Sequence, residues 1–106
     1  MKILLKRTIN HYMQSYPDAS HALFNWNHEF ALHKFSNFNE IKAVYRSASV
    51  IGNNRVVFNI KGNAYRLIVS MNFIQGACYI IWFGNHQSYD SIDAERISFA
   101  PQIIKK

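Results

Sequence analysis

With 106 residues, 49% of them apolar and 15% aromatic, the chain is too short for two separate cores and too apolar for disorder, which requires low hydrophobicity and high charge. Twelve Lys and Arg against six Asp and Glu give a formal net charge of +6 and a pI near 9.7, an excess that points to polyanions or an acidic protein partner. One domain over residues 1–106 is expected, and the lone Cys78 excludes an internal disulfide and suits a reducing cytoplasm.

Met1-Lys2-Ile3-Leu4-Leu5 starts basic, but its apolar run is too short for a signal peptide, and Ile3 to Leu5 reads as a short strand. Thr8 as an N-cap, with Ile9, Tyr12, Met13 and Tyr16 at helical spacing, predicts a first helix ending before Pro17. A second helix follows, capped by Asp18 or Ser20, with Ala19, Ala22, Leu23, Trp26 and Phe30 as its buried stripe. One short helical turn between Phe38 and Tyr45 carries Ile41 and Val44. From Lys34 to Arg66 the cations Lys34, Lys42, Arg46, Arg55, Lys61 and Arg66 face a lone acid, Glu40, so the charge is concentrated.

Three antiparallel strands follow, roughly Arg55 to Lys61, Ala64 to Phe73 and Ala77 to Gly84; the last is too short to span a membrane. A two-residue turn at Gly62-Asn63, residues that tolerate positive φ, pairs Lys61 with Ala64, Asn59 with Arg66 and Val57 with Ile68. Alternation then sends Val56, Phe58, Ile60, Tyr65, Leu67 and Val69 to the core, and Asn59, Lys61 and Arg66 to a polar, cationic face. A second tight turn at Gln75-Gly76 would pair Asn72 with Tyr79, Ser70 with Ile81 and Arg66 with Asn85. It would place Trp82, Ile80 and Cys78 on the core side, opposite Val69, Met71 and Phe73. His86 leaves this third strand beside Arg66 and Lys61 and starts a short helix, with Asp90 and Asp93 near the surface. Asp90 reads as a stabiliser of that helix start or an orienter for a cation. The tail ends in Lys105-Lys106, and Pro101 marks an element boundary.

At these residues a resemblance emerges. The stretch from Val57 to Ile68, followed by Phe83-Gly84-Asn85-His86-Gln87-Ser88-Tyr89-Asp90, resembles the signature of HigB-type toxins, a branch of the RelE superfamily of messenger-RNA interferases. Trp26 and Ile41-Lys42-Ala43 extend the likeness over nearly the whole chain. Asn85 stands where that family more often has Thr before the His. The resemblance implies a RelE-like α+β fold, with two N-terminal helices packed on an antiparallel sheet that ends in a three-strand meander. It implies a ribosome-dependent endoribonuclease that cleaves translated messenger RNA without a metal or cofactor, giving a 2′,3′-cyclic phosphate first. Its partners would be the ribosome, messenger RNA and a cognate HigA-type helix-turn-helix antitoxin, through which the pair binds operator DNA. No membrane is involved.

The residues suit that chemistry. Metal-free cleavage needs a 2′-OH activated, charge on the phosphorane stabilised and the leaving 5′-oxygen protonated. Arg66 offers a planar fork matched to phosphate oxygens, Lys61 a point charge for the same or the next phosphate, and His86 a group that titrates near neutrality. The two cations nearby should favour neutral His86. Asn59, Tyr89, Asn85 and Arg55 complete the set as substrate contacts, Tyr89 by stacking or through its hydroxyl. Without the resemblance, Arg66 and Lys61 would read as solvated surface cations, and His86 as a histidine ending a strand. His11, His21, His28 and His33 lack metal-ligand spacing. The competing readings are a non-catalytic RNA-binding module or degenerate toxin that retains only antitoxin binding and, more weakly, a DNA-binding domain, which lacks a recognition-helix pattern.

Overall fold

A computed structural model describes residues 1–4 and 6–98; the expectations for Leu5, Pro101 and the Lys105-Lys106 tail fall outside them. Along the chain run β1 (Lys2–Leu4), α1 (Lys6–Ser15), a 3-10 turn (Pro17–Ala19), α2 (Ser20–Leu32), α3 (Phe38–Val44), β2 (Ser49–Ile51), β3 (Arg55–Ile60), β4 (Tyr65–Asn72), β5 (Ala77–Asn85) and α4 (His86–Asp90). The architecture is α+β, but the sheet is mixed rather than antiparallel. Its five strands stand in the order β1-β5-β4-β3-β2, with β1 parallel to β5. β2 is an addition to the expected elements. It is three residues long and exposed at Ser49 and Val50, so it carries no alternation that marks a half-buried strand.

The β3–β4 hairpin has the expected register, Asn59 opposite Arg66 and Val57 opposite Ile68. Val56, Phe58, Ile60, Tyr65, Leu67 and Val69 are all buried in the core. The turn differs in one respect. Positive φ falls on Lys61 (54°) and Gly62 (62°), not on Asn63, and the Ala64 N–H closes the turn on the Lys61 carbonyl at 3.2 Å. A left-handed residue breaks the alternation of a strand, so Lys61 leaves the face that Asn59 and Arg66 share.

The β4–β5 register is corrected more deeply. Asn72 pairs with Ala77 around a loop of residues 73–76, in which Gly76 takes a φ of 65° and its N–H bonds the Phe73 carbonyl. Ser70 therefore meets Tyr79, Met71 meets Cys78 and Val69 meets Ile80. This shift of two residues preserves the faces, so Cys78 and Ile80 stay in the core. Then Ile68 pairs with Trp82 and Val69 with Ile80, leaving Ile81 as a bulge. An extra residue in one strand reverses the faces beyond it. Phe83 accordingly enters the core opposite Leu67, and Trp82 moves to the outer face.

The helices cover the inner face. Leu23, Trp26 and Phe30 of α2 are buried as the stripe requires, with Ala19 just before it. Phe30 sits at the centre of an aromatic cluster, 4.9 Å from the Trp26 ring, 5.4 Å from Phe35, 5.5 Å from Phe58 and 5.7 Å from Tyr45. The predicted helix starts are corrected. Thr8 lies inside α1 and is buried. At α2, Ala19 occupies the N-cap, because the 3-10 turn runs straight into the helix and the Ser20 N–H bonds Pro17. The Ser20 hydroxyl donates to the same carbonyl at 2.9 Å. α3 starts at Asn37, whose Oδ1 accepts the Glu40 N–H at 3.0 Å, and buries Ile41 but leaves Val44 exposed.

Removing the centre of the aromatic cluster tests this core. Phe30→Ala should cost about 3–5 kcal/mol, read as a lower denaturant midpoint with an unchanged slope.

Candidate active site on the open sheet face

β3, β4 and β5 present a second face away from the helices, which carries Asn59, Arg66, Trp82 and Gly84. It is not wholly polar, since Val57 and Ile68 are also buried there. Arg66 is held in place from several sides. Its Nη1 donates to the carbonyls of Asn63 (3.1 Å) and Tyr65 (3.2 Å), and its Nη2 to the Asn63 side-chain oxygen at 2.8 Å. The guanidinium carbon lies 5.8 Å from the centre of the Tyr89 ring, in cation–π range. The turn thus grips the arginine that follows it, and α4 supplies the aromatic wall.

Opposite Arg66 stands Gly84. A Cβ there would come within 2.6 Å of the Trp82 ring, so the indole lies across the glycine, with its ring 6.3 Å from Tyr89. Trp82 was expected in the core; the signal for its true place is Gly84 two residues on, a same-face neighbour without a side chain. Asn85 caps α4, its Oδ1 accepting the Ser88 N–H at 2.8 Å. Thr and Asn are both good N-caps, so the departure from the usual Thr keeps the helix start. His86 follows at the first turn, its N–H bonded to the Ala64 carbonyl at 3.0 Å. Its exposed ring has Nδ1 3.4 Å from Asp90 Oδ2. Asp90 thus ends α4 rather than starting it, and the His86-x-x-x-Asp90 spacing is the readable sign of that pair.

Two predicted contacts are engaged with protein groups, and Lys61 leaves the open face. Lys61 Nζ is 3.5 Å from Asp18 Oδ2, towards the helix layer. The same carboxylate accepts the Tyr65 hydroxyl at 2.7 and 2.8 Å. The structure therefore does not bring Lys61 onto the face of Arg66. Arg55 donates from Nη1 to the Ala94 carbonyl at 2.8 Å, tying the segment after α4 to the sheet. A depression of 690 Å³ beside Tyr89 is walled by Asp90, Asp93 and Glu95, which repel phosphate. The cationic side of Tyr89 is the one towards Arg66. Among the described residues no cluster of His, Cys, Asp and Glu could hold a metal, and burial pushes the Cys78 thiol up to about 12, leaving it protonated.

A family model described as HigB_toxin, the RelE-like toxic component of a toxin-antitoxin system, matches residues 19–92. The chain belongs to the HigB toxin family. No curated protein matches it. The matched span contains every residue just described on the open face and leaves β1 and α1 outside. Membership makes the protein the toxin of a toxin–antitoxin pair, with an antitoxin as its partner. Among the described residues no helix is long and apolar enough to cross a membrane.

Two outcomes follow from these contacts. Gly84→Ala should drive the Trp82 indole off its seat, shifting its Nε1–H resonance while that of Trp26 stays put; an unmoved Trp82 signal would show that the ring does not rest on Gly84. The second concerns acid. The Tyr65 hydroxyl, helped by Lys61, holds the Asp18 carboxyl below its ordinary 3.8. A lowered carboxyl stabilises the fold above its ordinary value, and that contribution disappears as the pH falls through the lowered one. Tyr65→Phe should therefore reduce Tm at neutral pH, and the difference from wild type should shrink in strong acid.

Proposed function

We propose that this HigB toxin is a ribosome-dependent endoribonuclease that cleaves translated messenger RNA by metal-independent attack of a 2′-OH. The observation that carries the reading is Arg66, fixed in mid-strand by the Asn63 turn and stacked on Tyr89, with His86 fixed two residues beyond its strand partner Gly84. A guanidinium held this way loses little freedom when it takes two phosphate oxygens, and preorganised charge is the most effective stabiliser of a phosphorane. Binding exchanges the Asn63 bonds of Arg66 for phosphate.

His86 then moves the proton. Its Asp90 partner orients the ring through Nδ1 and leaves Nε2 for the reacting oxygen. As base it takes the 2′-OH proton; as acid it returns one to the leaving 5′-oxygen, and the bond to phosphorus closes the 2′,3′-cyclic phosphate. Tyr89 and Trp82 offer aromatic faces on which bases stack, and Asn59, paired with Arg66 across the strands, contacts the backbone. Lys61 serves a flanking phosphate, exchanging Asp18 for RNA. Asn85 acts through the helix start and Arg55 through the segment it ties down. The ribosome supplies the remaining binding surface for this cationic domain.

The test separates binding from proton transfer. Arg66→Ala should abolish cleavage on programmed ribosomes and leave the fold intact. His86→Gln should bind ribosomes like wild type yet cleave about 10²–10⁴-fold more slowly in a single turnover, with a flattened pH profile. Wild-type cleavage by either folded variant removes that residue from the mechanism. A wild-type protein that binds ribosomes without cutting is a binding module or degenerate toxin.

A further inference from the structure

β3 has neighbours on both sides for only half its length. β2 runs opposite Arg55 to Val57 and stops there, so Phe58 to Ile60 have β4 on one side and, among the described residues, no strand on the other. The register identifies the groups left over. The Met71 N–H bonds the Asn54 carbonyl across β3 and β4, and the His86 N–H bonds the Ala64 carbonyl from β5, so Tyr65 and Leu67 bond Ile60 and Phe58 in the uniform β3–β4 register. Val57 and Asn59 turn their main-chain groups the other way, Val57 to Ser49 of β2 and Asn59 to the open side. Such an edge is a template for another strand.

A groove of 170 Å³ runs along this edge, lined by Phe58, Asn59, Ile60 and Lys61, with Trp26 and Tyr45 facing them. Both facing residues hold an unmet polar group. Trp26 is only 6% exposed, and among the described residues its Nε1–H has no partner and the covered Tyr45 hydroxyl has none either. Glu29 beside Tyr45 raises the pKa of that phenol, as burial does more strongly, but stands outside hydrogen-bond geometry. A buried donor without an acceptor is costly, and an indole N–H can only donate. The groove therefore calls for an acceptor. Lys61, paired with Asp18, lines it, and Arg46 stands between the lining residues Tyr45 and Ser47; Glu29 is the acid in the lining.

We propose that the antitoxin docks here, adding an extended segment to the Phe58–Ile60 edge and placing an acidic side chain against Trp26 and Tyr45. The inference rests on the toxin–antitoxin assignment of the family. The main chain of the added strand satisfies Asn59, the carboxylate satisfies the two unmet donors, and an acidic segment suits a partner of this chain, whose net charge is +6.

Amide hydrogen exchange of the toxin, alone and with the product of the adjacent reading frame, tests this. The Asn59 amide should slow by about 10-fold or more in the complex, a protection of ordinary strand pairing, while those of Phe58 and Ile60, already bonded to β4, stay unchanged. Tyr45→Phe should leave the Tm of the free toxin equal or higher, yet weaken antitoxin binding by about 3- to 10-fold, the worth of one hydrogen bond. Asn25→Trp, on the exposed rim, should weaken it by obstruction. A complex that forms with Asn59 unprotected, or with both variants binding as wild type, overturns the docking site alone. Absence of any complex overturns the antitoxin assignment and this inference with it. Protection that grows with toxin concentration in the absence of antitoxin assigns the edge to a second copy and overturns it too.

Discussion

The unpaired Ile81 in β5 is the constraint from which the site follows. Up to Ile80 the strand alternates in one phase and feeds Cys78 and Ile80 into the core; beyond Ile81 it alternates in the other. Phe83 can then stack on Tyr65 at 5.3 Å inside the core, while Trp82 turns outward onto Gly84. Without the bulge these two aromatics would exchange places, the core would lose its Tyr65–Phe83 stack, and the open face would lose its broad ring beside Tyr89. One extra residue therefore serves both packing and the composition of the functional face.

The two faces of the sheet divide the labour. The inner one is a dense aromatic core around Phe30, which gives a small chain enough apolar burial to hold five strands in register. The outer one rests on that rigidity. Arg66, in mid-strand and gripped by Asn63, is positioned by backbone pairing rather than by a mobile loop, and α4 is attached directly to the end of β5, so His86 and Tyr89 inherit the same frame. A site built on strands and a helix start holds its geometry better than one built on loops.

The turn at Lys61-Gly62 shows how a local conformation redirects a side chain. Continued as a strand, Lys61 would share the Arg66 face; with φ at 54° it reaches Asp18, already held by Tyr65. The cationic cluster in the sequence is thereby split between the open face and the helix side. On the helix side it borders the stretch of β3 that, among the described residues, has a neighbouring strand on one side only, where Trp26 and Tyr45 keep polar groups unmet. The same hairpin thus presents a reactive face and an edge suited to a partner.

The sequence by itself determined what depends on local periodicity and short turns. The β3–β4 register, the buried stripe of α2 and the place of Arg66 all follow from alternation, helical spacing and a Gly-Asn turn. So does the family signature, because it is written in contiguous residues. Tertiary structure decided what depends on distant pairing. The parallel addition of β1 to β5, the short β2 and the bulge at Ile81 each require strands far apart in the chain to meet, and a one-residue change in register costs nothing locally while it reverses every face beyond it. Asp18 was legible as a helix cap and became the partner of Tyr65 and Lys61, because only the folded sheet brings those side chains to it.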